Sequence, residues 1–402
     1  MGKSMLVKPA SRTERITYAV RDIVVLADQV AKQGKKMLYL NIGDPNIFDF
    51  RTPQHIIEAT HQAMMANLNG YSPSSGVKGA IEAIEREASR KGIGNVLDIF
   101  TLTGVSEGID ICFTALVNEG ENVLTPMPGY PLYTAVLNKL GAHLNPYYLD
   151  ESNYWQPNLE DIASKIDRKT RGIVVINPNN PTGSVCKEET IRGIIQLALE
   201  HNLVIFSDEI YDKLLLDDDE HISIASLNPD ASVVTFNGLS KSYVVPGFRM
   251  GWGVVSGRRE VLADYAEALN KLLRARLSAN HPEQYAIKAA LEGDQGHIRE
   301  MKARLARRRD ITTEMLNAIP GISCVKPRGA FYAFPRLHIE GSDEDFVRQL
   351  IKETGVVVVP GSGFGQEPGS KHFRVVFLPP EKVLEEAYAK IAQFYEKYMA
   401  AD

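Results

Sequence analysis

The sequence predicts an α/β protein: a large domain with a mostly parallel sheet covered by helices, plus a smaller α+β domain. Between about residues 77 and 255, helical segments alternate with short, continuously apolar runs rich in β-branched residues. Such runs are typical of strands that are buried on both faces, as in parallel sheets. Beyond residue 256 the pattern changes to long helical segments with a few short strands. This mixture indicates a second, smaller domain.

Length and composition agree with a two-domain globular protein. The chain has 402 residues, of which 44% are hydrophobic and 24% are charged, and a chain of this length normally divides into more than one core. Its formal net charge of −5 gives no general attraction to nucleic acids or anionic membranes. We therefore expect neither as a partner.

The cysteines and the apolar runs indicate the cellular location of the protein. Cys112, Cys186 and Cys324 are an odd number of cysteines without metal-ligand spacing, so we predict no disulfide framework and no metal site. No window reaches ~18 uninterrupted apolar residues, so neither a membrane span nor a secretory signal is supported. We expect a cytoplasmic protein.

The predicted elements follow the chain in a regular order. An amphipathic helix over 12–35 leads to a short strand over 37–40 and to a turn at Gly43. Glycine there allows a ligand to approach the backbone closely; an ordinary strand-to-turn exit is the alternative. A helix over 53–68 precedes an ordered loop that carries Tyr71. The strands of the large sheet are predicted over 99–102, 122–125, 172–176, 203–206, 233–236 and 251–255.

Polar or conformationally special residues follow nearly every one of these strands. In a parallel sheet, ligands bind outside the carboxyl ends of the strands. A glycine turn after 99–102 opens a helix, whose first N–H groups can bind an anion. The candidate residues at these ends are Val105, Ser106, Tyr130, Asn180, Asp208, Tyr211, Ser240 and Lys241. Polar residues end most strands, but five such ends together indicate a ligand site.

Lys241 and Arg249 give this site its chemical character. Lys241 lies just beyond the buried strand 233–236, where its ammonium can lose a proton and act as an amine nucleophile. Arg249, eight residues later, has a planar guanidinium group that can bind a phosphate with two hydrogen bonds. A Schiff-base lysine beside a phosphate anchor suggests pyridoxal phosphate. A surface lysine in a turn is the alternative.

The C-terminal third is predicted to be helical with short strands. Helices are predicted over 283–293, 294–318, 343–353 and 380–399, and strands near 331–334, 356–359 and 373–377. Arg374 lies in the last strand among apolar residues and needs an anionic partner if it is buried. An edge strand with Arg374 facing water is the alternative. The basic run over 302–309 is interpreted as a solvated helix face rather than a nucleic-acid surface.

Four motifs carry a resemblance to a known family. They are NNPTG at 179–183, SDEIY at 207–211, LSKSYVVPGFRMGW at 239–252 and HFRVVF at 372–377. With them the chain resembles the fold-type I PLP-dependent aminotransferases of classes I and II, from about residue 16 to 395. RLSANHPEQYA at 276–286 is most similar to the alanine aminotransferase branch. The resemblance implies a large PLP-binding domain over 46–295, a small domain formed by 1–45 and 296–402, and a homodimer with shared active sites.

The resemblance also implies a role for each candidate residue. Lys241 would carry pyridoxal 5′-phosphate (PLP) and shuttle the proton, and Asp208 would keep the pyridine nitrogen protonated. The other cofactor-binding residues would be Val105, Ser106, Tyr130, Asn180, Tyr211, Ser240, Arg249 and, from the neighbouring subunit, Tyr71. Arg374 would bind the α-carboxylate of the substrate, with Gly43 and Asn180 assisting.

One position departs from the family pattern. Many members carry a serine three residues before the lysine as a phosphate ligand, whereas this chain has Gly238. The phosphate is therefore expected to depend more on Ser106, Ser240 and Arg249.

The expected reaction is a two-step exchange of the amino group between alanine and 2-oxoglutarate. We hypothesise that Tyr18 and Arg21 line the mouth of the pocket and that Arg21 meets the distal carboxylate of glutamate; an exposed helical arginine is the alternative. An aspartate or aromatic aminotransferase is the nearest competing function, followed by a PLP-dependent carbon–sulfur lyase. A non-catalytic PLP-binding module is disfavoured, because every catalytic position is filled and no basic DNA-reading segment is present.

Overall fold

The computed structural model describes residues 7–16, 19–217 and 220–401. The helices are α1 (Ala19–Ala31), α2 (Gln54–Met65), α3 (Lys78–Arg90), α4 (Val105–Leu116), α5 (Pro131–Leu140), α6 (Leu159–Lys165), α7 (Glu188–Glu200), α8 (Ile224–Leu227), α9 (Arg259–Ala275), α10 (Tyr285–Glu292), α11 (Gly296–Asn317), α12 (Asp343–Thr354) and α13 (Glu381–Ala401). Within these described ranges, no helix combines the length and the apolar character needed to cross a membrane.

The strands are short and lie mainly in the middle of the chain. They are β1 (Leu38–Tyr39), β2 (Val96–Thr103), β3 (Asn122–Met127), β4 (His143–Asp150), β5 (Gln156–Pro157), β6 (Thr170–Ile176), β7 (Val204–Asp208), β8 (Val233–Gly238), β9 (Met250–Ser256), β10 (Ile322–Ser323), β11 (Tyr332–Ala333), β12 (Arg336–Leu337), β13 (Val356–Val357), β14 (Val359–Pro360) and β15 (Phe373–Val376). Short 3-10 helices cover Ser11–Arg15, Pro45–Ile47, Glu151–Asn153, Pro246–Phe248, Pro282–Gln284 and Gly361–Phe364.

The largest sheet within the described residues has eight strands in the order β2-β9-β8-β7-β6-β3-β4-β5. Its central neighbours, from β8 to β4, are parallel. Strand β9 runs antiparallel to both β2 and β8, and β5 runs antiparallel to β4. The predicted α/β class with a mostly parallel sheet is confirmed. The direction of β9 follows from its short connection to β8, since a parallel neighbour would need a crossover.

Helices cover both faces of this sheet, as predicted. Side chains alternate along a strand, so Ile173 and Val175 of β6 join one apolar cluster and Val174 joins another, and all three are buried. The first cluster includes residues of α3, α7 and α10, and the second includes residues of α4, α5 and α9. Because both faces are covered, polar groups can come together at the edge formed by the carboxyl ends of the parallel strands.

Strands β4 and β5 correct the sequence analysis, which predicted no strand between residues 125 and 172. The β4 sequence HLNPYYLD contains proline and polar residues, and its side chains are mostly half-buried. Such a pattern does not read as a buried parallel strand. It suits a position near the edge of a sheet, where proline is tolerated.

The N-terminal segment packs with the C-terminal part of the chain. Strand β1 pairs in parallel with β13, with Leu38 opposite Val356, and the apolar cluster that contains Ile23 of α1 also contains Phe346 and Tyr388. The helix predicted over 12–35 is found as the 3-10 helix Ser11–Arg15 and α1. The division into 46–295 and 1–45 plus 296–402 stays a prediction, and this pairing is compatible with it.

Two arginines of α11 correct the interpretation of the basic run as a solvated face. Arg308 is 1% exposed and donates to both carboxylate oxygens of Asp49, at 2.9 and 2.6 Å. The neighbouring Arg309 is also buried and donates to both oxygens of Asp217 at 2.9 Å. A paired guanidinium can be buried where an unpaired one cannot, and the run alone does not reveal the partners.

Candidate active site

A cavity of about 300 Å³ opens where the carboxyl ends of the parallel strands meet the C-terminal region. Its lining brings together residues that are scattered along the chain. The predicted site residues that line it are Gly43, Val105, Ser106, Tyr130, Asn180, Asp208, Tyr211, Ser240, Lys241, Arg249 and Arg374. A residue set predicted from separate strand ends therefore surrounds one space, as the rule for parallel sheets requires.

Lys241 presents its amine to this cavity from the turn that follows β8. Leu239 and Ser242 on either side are buried, which anchors the turn. The Lys241 Nζ donates to the backbone oxygen of Gly43 at 2.8 Å. The amine is thereby held at one place in the cavity, and the alternative of a surface lysine in a turn is wrong.

Asp208, at the end of β7, is a buried carboxylate with two donors. The Tyr133 hydroxyl donates to its Oδ2 at 2.9 Å, and the Ile210 N–H lies 3.3 Å from its Oδ1. Burial raises the pKa of Asp208 to about 6, although the hydrogen bond from Tyr133 acts in the opposite direction. A cationic group beside this carboxylate would be strongly favoured. Tyr133 was not predicted. It lies in α5, which begins after Tyr130, and nothing in its place along the chain indicated that its hydroxyl would reach Asp208.

A candidate anion site lies where the start of α4 meets Arg249. Gly104, at φ 75°, opens helix α4, so that the first N–H groups at Val105 and Ser106 point outward from the helix. A Cβ on Gly104 would lie 2.4 Å from Nη2 of Arg249. Glycine suits this position because residues with a side chain rarely adopt its φ of 75° and because the Arg249 guanidinium lies against its backbone. Ser240 lines the same cavity.

Gly238 has a local structural reason. A Cβ at this position would lie 2.7 Å from the backbone oxygen of Met250 and 3.0 Å from the Cα of Gly251. Strands β8 and β9 thus approach too closely for a serine at this position. Glycine at this position is therefore compatible with the close packing of the two strands.

Arg374 lies in β15, the central strand of the small sheet β11-β15-β14. It is 6% exposed, so the alternative of an edge strand with Arg374 facing water is wrong. Its Nη1 donates to Oδ1 of Asn180 at 3.1 Å, and its Nη2 donates to the backbone oxygen of Asn41 at 2.6 Å. The rings of Tyr332 and Phe364 flank the guanidinium, at 4.8 and 4.7 Å from its carbon. The group is fixed at the cavity wall, where it can receive an anion.

Tyr332 and Phe364 also line the cavity, and sequence reasoning missed both. Tyr332 lies in a segment predicted as a strand, and Phe364 lies in a glycine-rich stretch that reads as a turn. Alternation in the strand could have separated the face of Tyr332 from that of its neighbours. Nothing in the local sequence indicated that Phe364 would pack on Arg374.

Three predicted residues are not part of the described cavity. Tyr71 is 84% exposed and lies outside it. Tyr18 lies outside the described residues. Arg21 belongs to α1, but its side chain is likewise outside the described part of the chain.

Comparison with known proteins identifies one family. The family model for aminotransferase class I and II matches residues 35–391. The chain is 42% identical to the glutamate-pyruvate aminotransferase AlaA of Escherichia coli (strain K12), over 98% of each chain. It is 40% identical to the alanine aminotransferase of Mycobacterium bovis, over 97% of this chain and 92% of the relative. Among solved structures, the alanine aminotransferase from Pyrococcus furiosus has a TM-score of 0.94 and 39% identity, covering 97% of this chain and 100% of that one.

Proposed function

The chain belongs to the aminotransferase class I and II family, and we propose that it binds PLP and exchanges an amino group between alanine and 2-oxoglutarate. The observation that carries the proposal is the Lys241 amine, held 2.8 Å from the Gly43 oxygen in the cavity that Asp208 and Arg374 also line. The names of the similar proteins from Escherichia coli, Mycobacterium bovis and Pyrococcus furiosus support the choice of alanine.

The cavity residues fit the functional groups of PLP. The aldehyde would meet Lys241, and the ring nitrogen would meet Asp208. Tyr211 and Asn180 would hydrogen-bond the ring oxygen, and Tyr130 would stack on the ring. The phosphate would be held by Val105, Ser106, Ser240 and Arg249. The close packing of Gly104 on Arg249 supports this arrangement, because it brings a helix start and a guanidinium to one anion site.

Each protein group then has a defined task. When bound, PLP supplies an electron sink that stabilises negative charge at the substrate Cα. The Lys241 amine removes the Cα proton and returns it later in the half-reaction, a transfer of the kind worth ~10²–10⁴-fold in rate. The Gly43 oxygen accepts a hydrogen bond from this amine and orients it. Arg374, with Gly43 and Asn180, holds the substrate α-carboxylate so that the Cα–H faces Lys241.

The second substrate carries an additional carboxylate that the site must bind. The proposal assigns this task to Arg21, with Tyr18, at the mouth of the pocket. If Arg21→Ala leaves the KM values for glutamate and 2-oxoglutarate unchanged, the assignment is wrong. An unchanged KM for alanine is expected in either case.

The proposal includes a homodimer in which Tyr71 reaches the phosphate of the partner subunit. The homodimer proposal is supported by the loop that carries the exposed Tyr71 ring, because this loop is held by hydrogen bonds. Arg276 donates to the Ser74 backbone oxygen and Gln284 donates to the Ser72 hydroxyl, each at 2.9 Å. Tyr71→Phe should then weaken PLP binding in the dimer. The three free cysteines support a cytoplasmic location, where thiols stay reduced.

An absorbance spectrum tests the function most directly. Protein loaded with PLP and freed of unbound cofactor should show a visible band, and L-alanine without an acceptor should remove it. A band that responds to aspartate or tyrosine instead would indicate the corresponding aminotransferase. Pyruvate and ammonia released from a cysteine conjugate without an acceptor would indicate a carbon–sulfur lyase. Absence of any visible band after PLP addition would contradict the whole proposal.

A further inference from the structure

Tyr332 contacts both Tyr211, which is proposed to bind PLP, and Arg374, which is proposed to bind the substrate. Its hydroxyl oxygen lies 2.9 Å from the hydroxyl oxygen of Tyr211, and its ring faces the Arg374 guanidinium at 4.8 Å. We propose that Tyr332 is a positioning residue, whose hydroxyl donates to Tyr211 and directs the Tyr211 proton into the cavity. This inference rests on the proposed function, because it assigns the recipient of that proton to bound PLP.

The packing around Tyr332 leaves its hydroxyl little freedom. The residue is 2% exposed, and its ring meets the Tyr211 ring edge to face, with centroids 5.7 Å apart at 88°. A Cβ on Gly43 would lie 2.3 Å from the Tyr332 hydroxyl oxygen and 3.1 Å from Cζ. The hydroxyl is therefore confined between the Gly43 backbone and the Tyr211 hydroxyl.

The proposed direction is the one that leaves the Tyr211 proton free for the cavity. Either hydroxyl could donate across the 2.9 Å contact; each carries a single proton, so Tyr211 can donate into the cavity only if Tyr332 is the donor of the pair. Burial raises the pKa of Tyr211 well above its ordinary value, so Tyr211 keeps its proton at neutral pH. A donor that itself accepts a hydrogen bond is polarised and donates more strongly.

Gly43 links this pair to the proton-transferring amine. Its backbone oxygen accepts from Lys241 Nζ at 2.8 Å, while its Cα faces the Tyr332 hydroxyl. A larger residue at position 43 would displace either the hydroxyl or the carbonyl. The structure thus explains glycine at this position by the Tyr332 hydroxyl, in addition to access for the substrate.

The ring and the hydroxyl of Tyr332 have separable contacts. The ring packs on Arg374 opposite Phe364, whereas only the hydroxyl reaches Tyr211. Tyr332→Phe removes the hydroxyl and keeps the ring. Tyr388→Phe is a matched control, because it removes another buried hydroxyl, bonded to Thr312 at 2.9 Å, away from the cavity lining.

A double-mutant cycle with Tyr211→Phe tests the inference. The measurements are the midpoint pH of the visible absorbance of the PLP-loaded protein, together with kcat and the KM for alanine. The titratable and charged groups around the pair are Asp208, Tyr130, Lys241 and Arg374, and they are unchanged in every variant. Comparisons within the cycle therefore isolate the two hydroxyls.

Tyr332→Phe should raise the midpoint pH of the visible absorbance, because Tyr211 becomes a weaker donor and stabilises the ring oxygen anion of PLP less. The shift should have the same direction as that of Tyr211→Phe and should be smaller. Tyr332→Phe should lower kcat by roughly two- to tenfold, with the KM for alanine nearly unchanged. In the Tyr211→Phe background it should have no further effect on the midpoint. An unchanged midpoint in the wild-type background, an equal shift in both backgrounds, or an equal shift in Tyr388→Phe would overturn the inference.

A second measurement needs no cofactor and separates this inference from the proposed function. Gly43→Ala should lower the thermal unfolding midpoint of the PLP-free protein, and should lower it less when Tyr332 is replaced by phenylalanine. Equal losses in both backgrounds would overturn the arrangement around Gly43. If the wild-type protein takes up no PLP, the proposed function fails while this comparison still reports on the geometry.

Discussion

The Tyr133 hydroxyl donates a hydrogen bond to the Asp208 carboxylate at 2.9 Å, and both groups are buried. Burial alone favours the protonated form of a carboxyl group. The hydrogen bond works against burial and keeps the carboxylate available as an anion near neutral pH. Asp208 thus depends on a residue of α5 for the charge that its proposed task requires.

Removal of this hydrogen bond should shift the pH dependence of PLP binding on its acid side. In PLP-free Tyr133→Phe the pKa of Asp208, already about 6, should rise further, by about one unit. The pH below which PLP affinity falls should then move to higher pH by a similar amount, because more of the PLP-free protein carries a neutral Asp208. Tyr265→Phe, which removes a buried hydroxyl bonded to the Cys112 oxygen at 3.0 Å, is the control. A profile that stays in place would contradict the role of Tyr133.

At pH values above its folded-state pKa, the ionised Asp208 should lower the stability of the PLP-free protein. Its pKa rises from 3.8 in the unfolded chain to about 6 in the folded protein, so the folded state binds more protons between these values. Stability must therefore fall as the pH rises through this window. Asp208→Asn should be more stable than wild type by ~2–3 kcal/mol at pH values above the window, and the difference should shrink towards pH 4. Urea unfolding of wild type and Asp208→Asn at several pH values checks this. Equal stabilities of the two proteins at every pH would contradict it.

A serine at position 238 should destabilise the fold. Its Cβ would lie 2.7 Å from the Met250 backbone oxygen, and backbone of two paired strands cannot easily give way. We expect Gly238→Ser to lower the free energy of unfolding by ~1–3 kcal/mol. The control is Gly247→Ser, because a Cβ on Gly247 meets no atom within 4 Å. Similar unfolding curves for the two variants would show that the β8–β9 contact is not limiting.

Lys91 should be essential to a buried charge cluster that includes Glu209, the residue after Asp208. Its Nζ pairs with Glu209 at 2.9 Å and Asp212 at 2.5 Å, and both carboxylates are nearly inaccessible. Burial opposes the ionisation of Asp212, but Lys91 outweighs it, and the pKa of Asp212 is about 2. Lys91→Met would leave two buried anions and should cost ~3–5 kcal/mol at neutral pH.

The cost of Lys91→Met should shrink in acid. Asp212 has a folded pKa below its unfolded value, so its stabilising contribution is present above pH 3.8 and is lost as the pH falls towards 2. Lys78→Met is the control, because Lys78 forms an exposed pair with Glu82 at 3.7 Å that should be worth less than about 1 kcal/mol. Chemical denaturation that finds the two variants alike would contradict the importance of the cluster.

The sequence predicted the residues at the strand ends well, because parallel strands deliver their carboxyl ends to one edge whatever the details of packing. Asp208 and Lys241 are such residues. The α/β class followed from continuous apolar runs for the same reason. Strand β4 was missed because proline and polar residues at a sheet edge lack that pattern.

Residues whose role depends on tertiary proximity could not be predicted in the same way. Tyr332 meets Tyr211 from far along the chain, and Arg308 is buried only because Asp49 is present to pair with it. Neither partner is near in sequence, so local pattern carries no information about the contact. Tyr133 is a similar case, since its partner Asp208 is 75 residues away along the chain.

The pairing of β1 with β13 has a consequence for synthesis on the ribosome. Strand β1 emerges early but finds its neighbour only when Val356 and Val357 have been made. The large sheet, from β2 to β9, can form before then, and with it the turn that carries Lys241. Gly43, whose carbonyl holds the Lys241 amine, is fixed only after the late strands have emerged. A nascent chain should therefore contain Lys241 for some time before the groups that hold its amine are complete.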